Sequence, residues 1–206
     1  KGLEWDERFV DLVKLEQYQP DYVQLNPKGG VPTLVHDGQV VIESTLICEY
    51  LDDTFPDPSL KPAHPSGCAA MRVWTKAVDE GIHEGVVALS FSAMFRERMK
   101  GMTDEQRTRQ FHNIGDPVRR DRDRAVFEQG VESSYVFNAI AVYETTFSKL
   151  EKVLVDGRDW IMGDQYTLAE INFAPYVARL EYMGLLEIWI ENRPKVSSWW
   201  NRIKAR

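Results

Sequence analysis

The sequence predicts a small α/β unit joined to a larger all-helical one, and three observations predict it. Two short apolar runs rich in β-branched residues, Thr33–Val35 and Gln39–Ile42, flank His36-Asp37-Gly38. Asp-Gly between such runs marks a tight hairpin, because glycine accepts the positive φ that the turn needs. From Ser66 on the period changes: Met71, Trp74, Val78, Ile82 and Val86 recur at three- and four-residue spacing, the stripe of a helix with one buried face. Between the two patterns Pro56, Pro58, Pro62 and Pro65 fall within eleven residues, which is linker composition. The expected boundaries are 1–56 for the α/β unit, 57–65 for the linker and 66–206 for the helical unit.

The elements follow in order. Glu4 to Val13 reads as a strand over 5–12, with Trp5, Phe9 and Val13 set irregularly between charges. A broken helical stretch follows around 15–24. Val31-Pro32 stands just before the first hairpin strand, where a proline costs no ladder hydrogen bond and can be cis. Glu43-Ser44 closes the second strand and opens a helix over 45–54, so Ser44 is placed to cap free amides at the helix start. In the helical unit Val136, Ile140, Tyr143, Phe147, Leu150 and Leu154 repeat the apolar stripe. Thr167 with Glu170 three residues later is a capping box, which gives both residues a structural role, as it does Asp164 before them. Pro175 inside the next helical pattern implies a kink. Lys100 to Ser133, charged and broken by Gly101, Gly115, Pro117 and Gly130, reads as helix fragments joined by loops, and Ser197 to Arg206 as a last helix.

Composition narrows the function. A net charge of −7 argues against nucleic acid as partner, because phosphate binding needs a basic stripe. Arg119 to Arg124 is locally basic, but its aspartates dilute it and it reads as a solvated face. No apolar run approaches the roughly 20 residues of a membrane span, and the chain reads as cytoplasmic. Two cysteines, Cys48 and Cys68, form neither a disulfide framework nor a metal spacing, and His36, His64 and His112 show no metal pattern either. Cys48, one turn into helix 45–54 among Leu46, Ile47 and Leu51, reads as a small buried hydrophobe.

The hairpin carries the chemistry. A helix start favours an anion, and a carboxylate beside it favours an amine. Ser44 and Glu43 therefore offer both halves of an amino-acid zwitterion. The pattern fits a peptide-like ligand with a free α-amino acid end.

These residues resemble a known family. Asn26-Pro27-Lys28-Gly29-Gly30-Val31-Pro32, then Glu43-Ser44 and Ile47-Cys48-Glu49-Tyr50-Leu51, is similar to the glutathione-binding half of a glutathione S-transferase. Downstream, Trp160 to Ile171, which contains Gly163-Asp164 and Thr167-Leu168-Ala169-Glu170, resembles the buried capping motif of the family's helical domain. The resemblance covers nearly the whole chain. Within the family, Ile47 to Phe55 and Met71 to Lys76 look most like the bacterial glutathione-dependent β-etherases and reductive dehalogenases.

The resemblance implies a thioredoxin-like α/β domain and an all-helical domain that forms the electrophile pocket, paired as a homodimer. In a thioredoxin-like unit a strand and a helix precede the point where this chain starts. Lys1-Gly2-Leu3 itself reads like the exit from a helix. The first strand and helix, and the Ser, Tyr or Cys that activates the glutathione thiol, are thus expected upstream of Lys1. Ser44 and its amide would hold the γ-glutamyl carboxylate, Glu43 would orient the ammonium, and Val31 would pair its backbone with the cysteinyl unit like one rung of a sheet. Gln17 is placed to reach the glycyl carboxylate, or is a surface glutamine; Lys28 would serve the same carboxylate, or is a solvated lysine. His83, Trp74, Phe91, Met94 and Phe95 line the electrophile pocket or belong to the core. The activity implied is transfer of the glutathione thiolate to an aromatic electrophile, with β-aryl ether cleavage or dehalogenation as sharper forms. A non-catalytic glutathione-binding or protein-interaction module is the alternative.

Overall fold

The computed structural model describes residues 1–12 and 14–206, which form two compact units, Lys1–Lys61 and Pro62–Arg206. In the first, a short 3-10 turn, Glu16–Tyr18, leads into helix α1, Pro20–Leu25, and then strands β1, Thr33–His36, and β2, Gln39–Ile42. Helix α2, Ser44–Thr54, closes the unit. The strands pair antiparallel from Thr33 opposite Ile42 to His36 opposite Gln39. Asp37 and Gly38 turn the chain between them with φ of 49° and 76°, the two positive values a type I′ hairpin needs.

The strand expected over 5–12 does not form. The two-stranded sheet offers that segment no rung, and Trp5 and Phe9 stay 78% and 79% exposed, so neither face is buried. Without a ladder or a core contact, extended backbone gains nothing over irregular chain. Val13, assigned to the same strand from sequence, lies outside the described residues.

The second unit is helical among the described residues. It runs through α3, Pro65–Ala77; α4, His83–Ser90; α5, Arg96–Lys100; α6, Asp104–His112; α7, Pro117–Gln129; α8, Ser134–Val153; α9, Leu168–Tyr182; α10, Glu187–Ile190; and α11, Pro194–Lys204. Two π-helical segments, Val78–Ile82 and Phe91–Phe95, connect α3, α4 and α5. The first bends at Gly81, and Tyr143 Oη donates to the Ile82 carbonyl at 3.2 Å. A Cβ on Gly85 would stand 3.3 Å from the Tyr143 ring and 3.4 Å from Ala139, so the glycine is what lets α4 approach α8 closely.

The core follows the apolar stripes. Met71, Trp74, Val78, Ile82 and Val86 are buried, as are Val136, Tyr143, Phe147, Leu150 and Leu154. Ile140 departs from its stripe and is 42% exposed. Phe147 packs on Tyr143, Phe173 and Trp189 at ring separations of 6.0, 5.8 and 6.2 Å. Helix α9 runs unbroken through Pro175, and its start is the capping box read from the sequence. A second capping box, Thr103 with Gln106, starts α6. The basic run is not uniformly solvated. Arg122 and Asp123 are buried, with Arg122 Nε donating to Asp123 Oδ1 at 2.9 Å and its other arm paired with Glu84 of α4. No described helix is long and apolar enough to cross a membrane.

Candidate functional site

The turn between α1 and β1 is held from below by two side chains. Tyr22 Oη donates to the Gly30 carbonyl at 2.6 Å and lies 2.9 Å from Thr33 Oγ1. Asn26, 4% exposed, donates through Nδ2 to the same carbonyl at 2.9 Å and to Thr33 Oγ1 at 3.3 Å, while its Oδ1 accepts from the Lys28 amide at 3.2 Å. Gly29 sits at φ 61°, and a Cβ there would fall 2.6 Å from the Tyr18 ring. Glycine is therefore required by both the backbone angle and the space. With the Gly30 carbonyl tied inward, Val31 is left on the surface, 46% exposed, and its own N–H and C=O have no partner among the described residues. The Val31-Pro32 peptide is cis. A free donor and acceptor on one residue just ahead of a strand can pair with a peptide backbone.

Glu43 stands at the junction of β2 and α2 with φ 68° and ψ 115°. A non-glycine residue there carries roughly 1–3 kcal/mol of strain, and such outliers collect at functional positions. The structure corrects one reading: Ser44 is the first residue of α2, not its cap. Glu43 holds the cap position, yet its side chain makes no capping bond and reaches Lys28 Nζ at 2.9 Å instead. The cap residue therefore leaves the start of α2 unclosed by its own side chain. The first amides of a helix have no carbonyl of their own to bond, so this end presents partial positive charge next to a carboxylate.

The other sequence candidates separate. Lys28 is exposed and is brought to the site, but against Glu43 rather than standing apart from it. Gln17 is not a surface glutamine. It is 7% exposed within the 3-10 turn, and its Oε1 is buried without a hydrogen-bond partner among the described residues. Cys48 is half-buried and burial pushes its thiol pKa up, which lowers its thiolate fraction. In the helical unit Trp74 and Phe91 are core residues, whereas Met94 and Phe95 are 37% and 43% exposed. His83 is exposed, with Nδ1 3.2 Å from Tyr176 Oη. No group of three or more metal-ligating side chains occurs among the described residues. Sequence reasoning missed Tyr22 and Asn26. Only Asn26-Pro27 ahead of the two glycines signalled them, since a buried asparagine before such a turn has amide groups to spend on the turn's backbone.

Comparison with known proteins follows this geometry. The family model "Glutathione S-transferase, N-terminal domain" matches residues 1–54, and "Glutathione S-transferase, C-terminal domain" matches residues 105–202. The chain is 37% identical to protein LigF of Sphingobium sp. strain SYK-6, over all of this chain and 82% of that protein. It is 28% identical to the tetrachloro-p-hydroquinone reductive dehalogenase of Sphingobium chlorophenolicum, over all of this chain and 84% of that one. Among solved structures, that of the β-etherase LigF from the same Sphingobium strain superposes with a TM-score of 0.87 at 34% identity, covering all of this chain and 86% of the other.

Proposed function

The chain belongs to the glutathione S-transferase family, and from that premise we propose that it delivers the glutathione thiolate to a hydrophobic, aromatic electrophile, with cleavage of a β-aryl ether as the sharper form. The observation that carries the glutathione half is the strained Glu43, which does not cap the helix start it precedes, in the same small unit as Val31, whose backbone is unpaired among the described residues. In this reading the Ser44 hydroxyl and the first amides of α2 receive the γ-glutamyl carboxylate, and Glu43 receives the ammonium. Lys28 keeps the Glu43 carboxylate aimed until the ammonium arrives, then is released toward the glycyl end. Val31 takes the cysteinyl backbone in two antiparallel hydrogen bonds, which orients the thiol.

The chemistry is a substitution. The sulfur attacks the carbon that bears the ether oxygen; a C–S bond forms, the C–O bond breaks, and its electron pair leaves on the phenolate. In the same reading the helical unit takes the electrophile and the protein acts as a homodimer. Similarity over the whole of this chain to LigF, described as a β-etherase, supports the ether over other electrophiles.

The test is glutathione binding and turnover by the protein. Glu43→Ala should weaken glutathione binding by about 1.5–3 kcal/mol, the range for hydrogen bonds to a charged group. Wild-type protein should cleave a simple β-aryl ether and release one phenol per glutathione consumed. Unchanged affinity in both Glu43→Ala and Ser44→Ala removes the binding site as assigned. Glutathione binding with no turnover of the ether or of a chlorinated nitrobenzene leaves a binding module, not a transferase.

A further inference from the structure

Within the helical unit the seam where α9 packs on α3 and α4 carries a ladder of polar pairs. Asn172 Nδ2 reaches Thr75 Oγ1 at 3.3 Å, His83 meets Tyr176, and one to two turns further on Arg179 Nε donates to Ser90 Oγ at 3.0 Å. The Arg179 guanidinium is the outlier of this ladder. It is half-buried, and its acceptors are all neutral: the Ser90 hydroxyl, the Met94 thioether 3.2 Å from Nη2, and the face of the Tyr182 ring 5.2 Å away. Ser90 gives its own proton to Met183 Sδ at 3.4 Å, so a lone pair is what it turns to Arg179.

No carboxylate pairs with Arg179 among the described residues. The acids nearest along the chain to Arg179 and to its partner Met94 are committed elsewhere. Glu181 accepts from Trp200 Nε1 and Lys204 Nζ, and Glu97 accepts from Lys100 Nζ. The carbonyl end of α9 supplies only partial negative charge. Burying part of a cation among thioethers and a hydroxyl costs solvation that no countercharge returns. Beside it stand Met94 and Tyr182, exposed by 37% and 72%, on the π-helical segment and the last turn of α9. π-helical turns of this kind concentrate at functional sites.

We propose that the surface around Arg179 is a subsite for an anionic oxygen carried on an aromatic ring, a carboxylate or phenolate, with Arg179 as the residue that reads its charge. The ring lies on Met94 and Tyr182; the oxygens replace water at the outer face of the guanidinium. This deepens the proposed function by naming its electrophile class, aromatic compounds bearing an acidic group, and it rests on that reading.

A matched pair of probes tests it by calorimetry on the whole protein: 4-nitrobenzoate and its neutral isostere 4-nitrobenzamide, with glutathione affinity measured separately. Wild-type protein should bind the carboxylate about tenfold or more tighter than the amide, the lower end for a charge-assisted hydrogen bond. Arg179→Gln should abolish that preference and leave amide and glutathione affinities unchanged, and Arg179→Lys should keep part of it. No preference in the wild type, or a preference that survives Arg179→Gln, overturns the subsite. The preference is read on wild-type protein, so misfolding of a variant cannot mask its absence. Absence of the preference in wild-type protein with intact glutathione binding indicts the subsite alone, and a wild-type preference without glutathione binding indicts the proposed reaction alone.

Discussion

Glu170→Ala is expected to lower the stability of the helical unit by about 3–5 kcal/mol, a large share of what a domain of this size holds. Glu170 is fully buried at the start of α9. One carboxylate oxygen accepts from the Ile161 amide, and the other accepts from the Thr167 amide and hydroxyl at 3.0 and 2.9 Å. Alanine leaves three buried donors without an acceptor, and each costs its own desolvation. Burial also pushes the Glu170 carboxyl pKa up despite these bonds. The folded state therefore holds that proton more tightly than the unfolded chain. The contribution of this titration to stability is fully present below the unfolded pKa and is lost as pH rises through the folded one. Glu170→Gln, which keeps one acceptor and removes the charge, should lose less than alanine and flatten that pH dependence. Urea unfolding followed by tryptophan fluorescence measures both, because five of the six tryptophans (74, 160, 189, 199 and 200) lie in the helical unit. A loss below about 1 kcal/mol for Glu170→Ala would show that water satisfies the three donors.

Phe147→Ala should cost a comparable amount, about 3–5 kcal/mol, by a different route. The ring is fully buried between Tyr143 on its own helix, Phe173 on α9 and Trp189 on α10. Its neighbours are themselves held: Trp189 lies 5.4 Å from Tyr143, and Phe173 stacks on Trp199 at 5.8 Å. Aromatic groups pinned from three helices cannot collapse into the space a deleted ring leaves, so transfer and cavity costs add. Phe147→Leu refills most of the volume and should lose clearly less. The denaturant midpoint should fall with little change in slope, and a collapsed slope would mean that the unit no longer unfolds as one.

Much of this was readable before the structure, wherever a local rule decided the outcome. Asp37-Gly38 set the hairpin because two adjacent positive φ values leave few residues to choose from. Thr167 and Glu170 set the start of α9 because a capping box is complete within four residues. The apolar stripes of α3, α4 and α8 found the core because burial imposes the helical period. Failures came where a distant partner decides. A strand over 5–12 needs a neighbour to bond with, which spacing alone cannot supply. Arg122 looked like one of several solvated arginines, and only the packing of α7 on α4 brings Glu84 to it. At the proposed site, the sequence singles out Glu43 and Val31 by their positions around the hairpin. The reversal of roles at the helix start, with Glu43 at the cap and Ser44 inside, turns on a single φ angle that propensity does not report. Tyr22 and Asn26 were missed because they act on backbone carbonyls, and a carbonyl leaves no mark in a sequence.

The central claim is that Glu43, Ser44 and the start of α2 read the γ-glutamyl end of glutathione. Calorimetric titration of the protein with glutathione and, in parallel, with cysteinylglycine, which lacks that end, tests it most directly. Wild-type protein should prefer glutathione by at least about tenfold, with Glu43→Ala removing most of the preference and leaving the weak affinity for cysteinylglycine unchanged. Equal affinity for the two ligands in the wild type, or a preference that persists in Glu43→Ala and in Ser44→Ala, would contradict the account.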